Sequence, residues 1–216
     1  MGSPPKSNAR DDQFSAALAS LAPEGVHIGH RWITVGDEDG LVEAERDGWS
    51  RAGLKSRRQS GAVRLLARSL MERQGIVGAA LPRGASRAPI WPAGVVGSLA
   101  HDSVVAVAAV AHAATYAAIG IDVEPPAPLS GVRLAAIATQ SELDRCSGDP
   151  LSGRILLAAK EAVYKALNPT DGLFLGFHDV EVDLGRGRAT TRGGRAVALA
   201  WTTHPWVTAL AYVRRP

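Results

Sequence analysis

The chain has 216 residues, of which 46% are hydrophobic and 21% are charged, and its formal net charge is +3. This length accommodates one large domain or two small ones, and a core of that size needs no disulfide. The single cysteine, Cys146, excludes an internal disulfide and a cysteine metal cluster, and it favours a reducing, cytoplasmic location. Because residues 1–10 are polar, we expect no signal peptide.

One uncharged run, residues 104–121, is long enough to be considered as a membrane span. It is rich in alanine, which contributes little to membrane insertion, and it ends at Asp122. Two buried strands joined by a tight turn therefore explain this run better than a transmembrane helix does.

The first half of the chain predicts alternating helices and strands after a flexible tail at residues 1–10. Each element is recognised from apolar residues at helical spacing or from their alternation with polar residues. The elements are a helix at 11–21, a strand at 26–35, a short helix at 41–48, a long helix at 56–74, and strands at 95–101 and 104–110. The outer face of the long helix is expected to carry arginines, namely Arg57, Arg58, Arg64, Arg68 and Arg73.

The second half predicts one more strand, three helices and a run of strands. These are a strand at 117–123, helices at 130–137, 140–146 and 151–167, and strands at 177–184, 188–192, 196–202 and 207–213. Asn168 and Pro169 are expected to end the last helix. The order of elements is typical of an α+β protein with two halves that meet close to residues 112–118.

Arginine is the dominant charged residue in the region from 51 to 87. Such a surface suits nucleic acid, a phosphorylated cofactor or an acidic protein partner. No aromatic residues alternate with these arginines, as stacking on single-stranded nucleic acid requires. An ordinary solvated helix face is the alternative interpretation for most of them.

Asp122 and Glu124 occupy alternate positions of a predicted strand and therefore face the same side. Two carboxylates on one face repel each other unless a cation lies between them, and Pro125 ends the strand beside them. One interpretation is a magnesium or manganese site at the strand end. The other is a pair of solvated surface acids, and this pair alone does not decide between them.

Glu161 and Lys165 are four residues apart and share one face of the predicted helix at 151–167. An ordinary helix-stabilising ion pair is one explanation of this spacing. Glu161 is, however, the only acid between 151 and 169, and Lys160 precedes it directly in an otherwise apolar helix. A lone acid in that setting favours a functional role.

His101 follows a glycine-led strand that also contains Ser98, which makes a phosphate contact plausible. A single histidine on a strand is more often structural, and Asp102 could either orient its ring or discourage an anion. The sequence contains no P-loop, nucleophile elbow, zinc motif or dinucleotide-binding glycine fingerprint.

Three segments together resemble the signature motifs of the 4′-phosphopantetheinyl transferases. They are W-P-A-G-V-V-G-S-L-A-H at 91–101, G-I-D-V-E at 120–124 and K-E-A-V-Y-K at 160–165. Further family positions are matched by Arg57, Arg58, Arg64 and Gly176-Phe177-x-Asp179, so that the resemblance covers roughly residues 40–185. It is closest to the two-lobed class that activates polyketide and non-ribosomal peptide synthetases, including its siderophore-associated members.

The resemblance implies a pseudo-twofold pair of similar α+β lobes, with the active site in the cleft between them. Each lobe would be a long helix packed on a small, mainly antiparallel sheet. The N-terminal lobe, residues 11–115, would bind the nucleotide of coenzyme A. The C-terminal lobe, residues 116–216, would carry the metal and the catalytic groups.

The resemblance also implies individual roles. Asp122, Glu124 and Glu161 would coordinate Mg²⁺, or Mn²⁺, and Asp122, Glu161 and Lys165 would be catalytic. The residues expected to contact coenzyme A are Arg57, Arg58, Arg64, Arg83, Ser98, Leu99, His101, Lys160 and Lys165. Within that set, His101 would hold the 3′-phosphate and Lys165 would neutralise phosphate charge in the transition state.

In the implied reaction, the serine hydroxyl of an acidic apo acyl or peptidyl carrier protein attacks the β-phosphorus of coenzyme A, and 3′,5′-ADP leaves. Catalysis of such a step consists mainly of positioning and charge neutralisation, with Glu161 or a water molecule taking the serine proton. The product is a holo carrier for polyketide, non-ribosomal peptide or fatty-acid synthesis. We expect the enzyme to be a cytoplasmic monomer.

Two other functions would use some of the same residues. A metal-dependent phosphohydrolase acting on coenzyme A or a related nucleotide needs the acids and the lysine but no carrier protein. A basic nucleic-acid-binding module needs the arginines but not the acids, and its binding would depend steeply on salt.

Overall fold

A computed structural model describes residues 9–84, 86–146, 148–172 and 175–216. Most of the tail that the sequence predicts, residues 1–8, lies outside the described residues. The last two residues assigned to the tail, Ala9 and Arg10, instead begin the first helix.

The described residues form helices and two antiparallel sheets. The helices are α1 (Ala9–Leu21), α2 (Glu43–Arg46), α3 (Leu54–Glu72), α4 (Gly131–Ile137), α5 (Gln140–Arg145) and α6 (Ser152–Asp171). The strands are β1 (Val26–Trp32), β2 (Val95–His101), β3 (Val105–His112), β4 (Tyr116–Glu124), β5 (Val180–Asp183), β6 (Arg188–Thr191), β7 (Ala196–Thr202) and β8 (Val207–Arg214). Short 3₁₀ turns lie at 37–40, 47–49, 177–179 and 184–186.

One sheet has the strand order β1-β3-β2 and the other has the order β4-β8-β7-β6-β5. Helix α3 packs on the three-stranded sheet, and α6 packs on the five-stranded sheet. The predicted fold class, an α+β protein whose two lobes each pair a long helix with an antiparallel sheet, is confirmed. Among the helices within the described ranges, none combines the length and apolar character needed to cross a bilayer.

Strand alternation divides the interior into three cores. In β3, Ala106 and Ala108 face α3, whereas Val105 and Val107 face a central core on the other side of the sheet. The central core also contains α1 and Ile121 of β4, so both sheets contribute to it. The third core lies between α6 and the five-stranded sheet. Because the two sheets share the central core, the lobe ranges 11–115 and 116–216 stay a prediction.

Two sequence predictions about the long helices are wrong. Helix α6 does not end at Pro169 but continues to Asp171, and Gly172 closes it in the left-handed conformation, with φ of 65°. A proline near a helix end removes only one backbone donor, so a final short turn can still form. On α3, Arg64 does not lie on the outer face, because it is buried with 4% of its surface exposed.

Candidate active site

Gly120 explains why β4 and α6 can bring their polar side chains together. A Cβ atom at this position would lie 2.6 Å from the backbone nitrogen of Ala166 and would overlap the carbonyl oxygen of Ala162. Only glycine therefore allows the backbone of α6 to rest directly on the strand. Asp122, two residues further along β4, faces the same side and pairs with Lys165 of the helix.

Asp122, Glu124 and Glu161 form an acid cluster at the end of β4. Asp122 is buried, with 7% of its surface exposed, and the two glutamates are half-buried. Burial raises the pKa of Glu161, and the nearby charges of Asp122 and Glu124 raise it further. Burial and the charge of Asp122 likewise raise the pKa of Glu124. The three acids predicted from two separate segments therefore lie close enough to repel one another.

Lys165 pairs with Asp122 rather than with Glu161. Its Nζ lies 2.6 Å from Oδ1 of Asp122, across the contact between α6 and β4. Lys165 affects Glu161 only through space, by opposing the rise in its pKa. The other carboxylate oxygen of Asp122, Oδ2, is buried and has no hydrogen-bond partner among the described residues. An ordinary Glu161–Lys165 helix pair is thus not what this spacing produces.

Arg154 is a member of the cluster that the sequence analysis missed. Its Nη1 lies 2.8 Å from Oε2 of Glu124, and its Nε donates to the carbonyl oxygen of Ala127 at 2.9 Å. Arg154 precedes Glu161 by seven residues, which places both on one face of α6 after two helical turns. That spacing is the sequence signal that would have found it.

Two neighbouring cavities open onto the acid cluster. The first, which we call the carboxylate cavity, has a volume of about 390 Å³ and is lined by Asp122, Glu124, Glu161 and Arg133. The second, the apolar cavity, has a volume of about 360 Å³ and is lined by Glu161, Tyr164 and Phe177. Glu161 lies on the boundary between them, so its carboxylate can meet ligands from either side.

A third cavity, the interlobe cavity, lies between β2 and α6 and has a volume of about 270 Å³. Ser98 and Leu99 line it from β2, and Lys165 lines it from α6. The structure therefore brings three residues that were predicted to contact coenzyme A to one cavity. Gly97 is needed here, because a Cβ atom would lie 2.6 Å from the ring of Trp91.

His101 stands at the end of β2. It is exposed, and its Nδ1 lies 3.2 Å from the carbonyl oxygen of Asp102. The surrounding protein lowers the pKa of His101 mainly by restricting its hydration, and the positive charge of Lys165 lowers it further. Asp122 acts in the opposite direction. His101 is thus within electrostatic range of both members of the Lys165–Asp122 pair.

The predicted arginines occupy different environments. Arg57 is exposed on the first turns of α3. Arg58 is paired with Glu38 at 2.8 Å, and this guanidinium lowers the pKa of Glu38 to about 2. The guanidinium of Arg83 lies over the ring of Trp49, 4.7 Å from its centre. The contacts of these arginines with a nucleotide stay predictions.

Arg64 and Lys160 are held in the protein interior. Arg64 donates through Nε to the carbonyl oxygen of Leu81 at 2.9 Å. Lys160, with 2% of its surface exposed, pairs with Glu142 at 2.7 Å and donates to the carbonyl oxygens of Phe177 and Val180. These three partners use all the protons of the ammonium group. In this structure Lys160 therefore connects α6 to β5, and its predicted contact with coenzyme A stays a prediction.

Arg87 is a second residue that the sequence analysis did not single out. It lines the interlobe cavity and adopts a positive φ of 69°, which is uncommon for a residue with a side chain. The surrounding loop at 76–90 has no sequence pattern that fixes its register, so only the three-dimensional arrangement identifies this arginine.

Comparison with known proteins assigns the family. The family model for the 4′-phosphopantetheinyl transferase N-terminal domain matches residues 43–111, and the model for the 4′-phosphopantetheinyl transferase superfamily matches residues 118–211. The chain is also 36% identical over 185 residues to 4′-phosphopantetheinyl transferase Svp of Streptomyces mobaraensis, an alignment that covers 81% of this chain and 75% of Svp. The chain belongs to the 4′-phosphopantetheinyl transferase superfamily.

Two further relatives match the transferase over shorter alignments. It is 38% identical over 131 residues to 4′-phosphopantetheinyl transferase Npt of Nocardia iowensis, which covers 59% of each chain. It is 35% identical over 137 residues to 4′-phosphopantetheinyl transferase PptT of Mycobacterium tuberculosis, covering 62% of this chain and 60% of PptT. The predicted family and its phosphopantetheinyl transferase activity are confirmed, and the alternative of a phosphohydrolase has no support.

Proposed function

We propose that this transferase moves the 4′-phosphopantetheine arm of coenzyme A to a serine of an apo acyl or peptidyl carrier domain, with release of 3′,5′-ADP. The observation that carries the proposal is the Lys165–Asp122 ion pair, whose two charges both act on the pKa of His101. A cation, a carboxylate and an imidazole from two lobes are the groups that a polyanionic nucleotide and a divalent ion need at one site.

The N-terminal lobe would bind the nucleotide. His101 would hold the 3′-phosphate, and Ser98 and Leu99 would follow the cofactor along β2, where they line the interlobe cavity. Arg57, Arg58 and Arg83 would contact phosphates. Arg58 would leave Glu38 to bind the ligand, which can reach it because both side chains of that pair are partly exposed. Arg64 would act from beneath them, because its guanidinium is buried.

The acid cluster fits a hard divalent cation. Within the described ranges, no three histidine, cysteine, aspartate or glutamate side chains are already gathered closely enough to hold a metal ion. Asp122 nevertheless has a buried oxygen without a partner among the described residues. Burial, and after it the neighbouring carboxylates, raises the pKa values of Glu124 and Glu161, which supports a site for a cation. Carboxylate oxygens are the ligands that Mg²⁺ and Mn²⁺ prefer.

We therefore assign Asp122, Glu124 and Glu161 as the ligands of Mg²⁺, or of Mn²⁺. When bound, the ion would neutralise the negative charge of the pyrophosphate during transfer. The side chains would rearrange to receive it, because Lys165 and Arg154 now balance Asp122 and Glu124. Lys165, once released from Asp122, is free to face the pyrophosphate from the interlobe cavity.

Glu161 is proposed as the base that takes the proton of the carrier serine. Glu161 borders both cavities beside the cluster, so its carboxylate is open to a group that approaches from either side. Lys165 would stabilise the charge that develops on the phosphate oxygens in the transition state. The bond from the β-phosphorus to the ADP oxygen breaks as the bond to the serine oxygen forms.

The carrier partner would be acidic. The chain has a formal net charge of +3, and Arg133 at the carboxylate cavity is exposed to an approaching domain. Opposite charges at such a surface speed encounter and orient the partner. A monomeric state and a cytoplasmic location are part of the same proposal.

The proposal is tested by following coenzyme A turnover with and without an apo carrier in the presence of Mg²⁺. Chromatography should detect 3′,5′-ADP only when the carrier is present, in equal amount to the holo carrier formed. Release of 3′,5′-ADP at the same rate without carrier would instead identify a hydrolase and overturn the proposal.

A further inference from the structure

Asp102 is the most heavily bonded carboxylate at the cleft, although it lies outside the acid cluster. Its Oδ1 accepts hydrogen bonds from the backbone nitrogens of Val104 at 2.6 Å and Val105 at 2.7 Å, which closes the turn between β2 and β3. The side chain of Gln59 on α3 donates to its carbonyl oxygen at 2.9 Å. Asp102 therefore fixes the hairpin tip that carries His101, the preceding residue.

The second carboxylate oxygen of Asp102 is bonded to the other lobe. Nε1 of Trp206, which directly precedes β8, donates to Oδ2 at 2.8 Å. Trp206 is itself immobilised in the central core: it stacks on Phe14 with ring centres 5.7 Å apart and lies 5.1 Å from Trp32. The guanidinium of Arg10 covers its ring at 4.4 Å. Trp206, which is held by these N-terminal side chains, thus anchors the β2–β3 turn.

His101 depends on this turn for its position. Within the described part of the chain, its ring is bonded through Nδ1 to the carbonyl oxygen of Asp102, at 3.2 Å. His101 is exposed, so packing alone does not fix the position of its ring at the cleft. A shift of the turn would therefore move the imidazole relative to Lys165 and Asp122, which lie on the opposite side.

We propose that the hydrogen bond between Asp102 and Trp206 positions His101 and thereby sets the preference of the enzyme for a nucleotide that carries a 3′-phosphate. Asp102 and Trp206 are positioning residues in this account, since neither is placed against the substrate. The inference rests on the proposed function, in which His101 holds the 3′-phosphate. A hydrogen bond to a carboxylate is among the stronger ones in a protein, so its loss would release the turn from the second lobe.

Two variants break this bond from opposite sides. Asp102→Asn keeps the size of the side chain and one acceptor oxygen for Val104 and Val105, but it turns an amide group towards the indole N–H. Trp206→Phe removes the donor and retains an aromatic ring in the core. Asp183→Asn is the matched control, because Asp183 caps the turn after β5, where it accepts a hydrogen bond from the backbone nitrogen of Arg186.

The experiment is calorimetric titration of the full chain, with Mg²⁺ in excess, by coenzyme A and by 3′-dephospho-coenzyme A. The wild type and Asp183→Asn should prefer coenzyme A, and His101→Ala should abolish that preference. Asp102→Asn and Trp206→Phe should each weaken coenzyme A binding by about tenfold, and should leave the binding of the dephospho form unchanged. In the His101→Ala background, Asp102→Asn should have no further effect on the preference.

Equal weakening of both ligands would show that Asp102 only stabilises the fold, and it would overturn the inference. Unchanged coenzyme A binding in Asp102→Asn would overturn it as well, while the transfer reaction of the wild type would be unaffected. If the wild type has no preference for the 3′-phosphate, or if His101→Ala retains one, the assignment of His101 fails and the inference fails with it.

Discussion

The ion pair between Lys165 and Asp122, with Nζ 2.6 Å from Oδ1, joins the two sequence motifs of the active site. Lys165 belongs to α6 and Asp122 to β4, so the pair crosses the contact that Gly120 makes possible. It leaves Oδ2 of Asp122 buried and without a partner, and it leaves Glu161 beside the pair with a raised pKa. In the absence of substrate, Lys165 therefore supplies part of the positive charge that the acids need.

The raised pKa of Glu161 has a consequence for stability. Below about pH 4 the carboxyl group is protonated in both the folded and the unfolded chain, so it causes no pH dependence there. As the pH rises through the raised folded pKa, the unfolded state loses its proton first, and the folded wild type becomes less stable relative to Glu161→Gln. Urea denaturation in metal-free buffer at pH 4 and pH 7 should show this change in the difference between the two proteins.

Addition of Mg²⁺ at pH 7 should reverse that difference by stabilising the wild type more than Glu161→Gln. If the difference in unfolding free energy between the wild type and Glu161→Gln stayed constant from pH 4 to pH 7, the pKa of Glu161 would not be raised. Burial and the acidic neighbours would then not disfavour its charged form.

Gly120→Ala should damage the enzyme through packing alone. The added methyl group would overlap the carbonyl oxygen of Ala162, so β4 and α6 must separate. Overpacking of this kind lowers the free energy of unfolding by about 1–3 kcal/mol. We expect a loss at or above the upper limit of that range, because the added methyl group meets backbone atoms of α6, which cannot move aside as a side chain can. The Lys165–Asp122 pair should open at the same time, so transfer activity should fall with stability.

Gly131→Ala is the matched control, because a Cβ atom there would meet no atom within 4 Å at the start of α4. Thermal and urea unfolding should show that this variant is as stable as the wild type or slightly more stable. Equal effects of the two substitutions would contradict the close approach of α6 to β4.

Lys160→Met should destabilise the fold by about 3–5 kcal/mol, because it leaves the buried carboxylate of Glu142 without its cation. Glu142→Gln in the same chain should recover part of that loss, since a neutral amide is less costly to bury. Denaturant unfolding of the single and double variants measures both effects. If Lys160→Met were as stable as the wild type but bound coenzyme A weakly, Lys160 would be a ligand contact and not an internal fastener.

Lys165→Met should lower kcat by about 10²-fold, because one preorganised cation is lost from the transition state. Lys165→Arg should retain more activity than Lys165→Met, since the charge remains. Steady-state rates with saturating coenzyme A and carrier provide the comparison. Equal rates for the wild type and Lys165→Met would remove Lys165 from the catalytic groups.

The sequence predicts the elements that carry the site because their patterns are local. Alternation of Asp122 and Glu124 on a strand, and the spacing of Glu161 and Lys165 on a helix, define which side each residue faces. The two-lobed α+β fold follows from the order of these elements together with the family motifs. Helix ends are less well predicted, as the continuation of α6 past Pro169 shows.

Interactions between distant segments were not predictable in the same way. Lys160 pairs with Glu142 of α5, and Arg58 pairs with Glu38, and no local pattern distinguishes either partner from other acids. The burial of Arg64 depends on the loop that brings the carbonyl oxygen of Leu81 above α3. Charge and helical position do not show which groups pack over a basic side chain, so the sequence does not distinguish a nucleotide contact from an internal ion pair.

The central claim, that the Lys165–Asp122 pair and its neighbouring acids serve phosphopantetheine transfer, is tested most directly by the intact mass of a carrier. An apo carrier is incubated with the enzyme, coenzyme A and Mg²⁺, and the wild type is compared with Asp122→Asn. The wild type should add the mass of one phosphopantetheine arm to the carrier, and Asp122→Asn should add none although it remains folded. No mass gain on any of several fatty-acid, polyketide and peptide carriers, or an equal gain with Asp122→Asn, would contradict the claim.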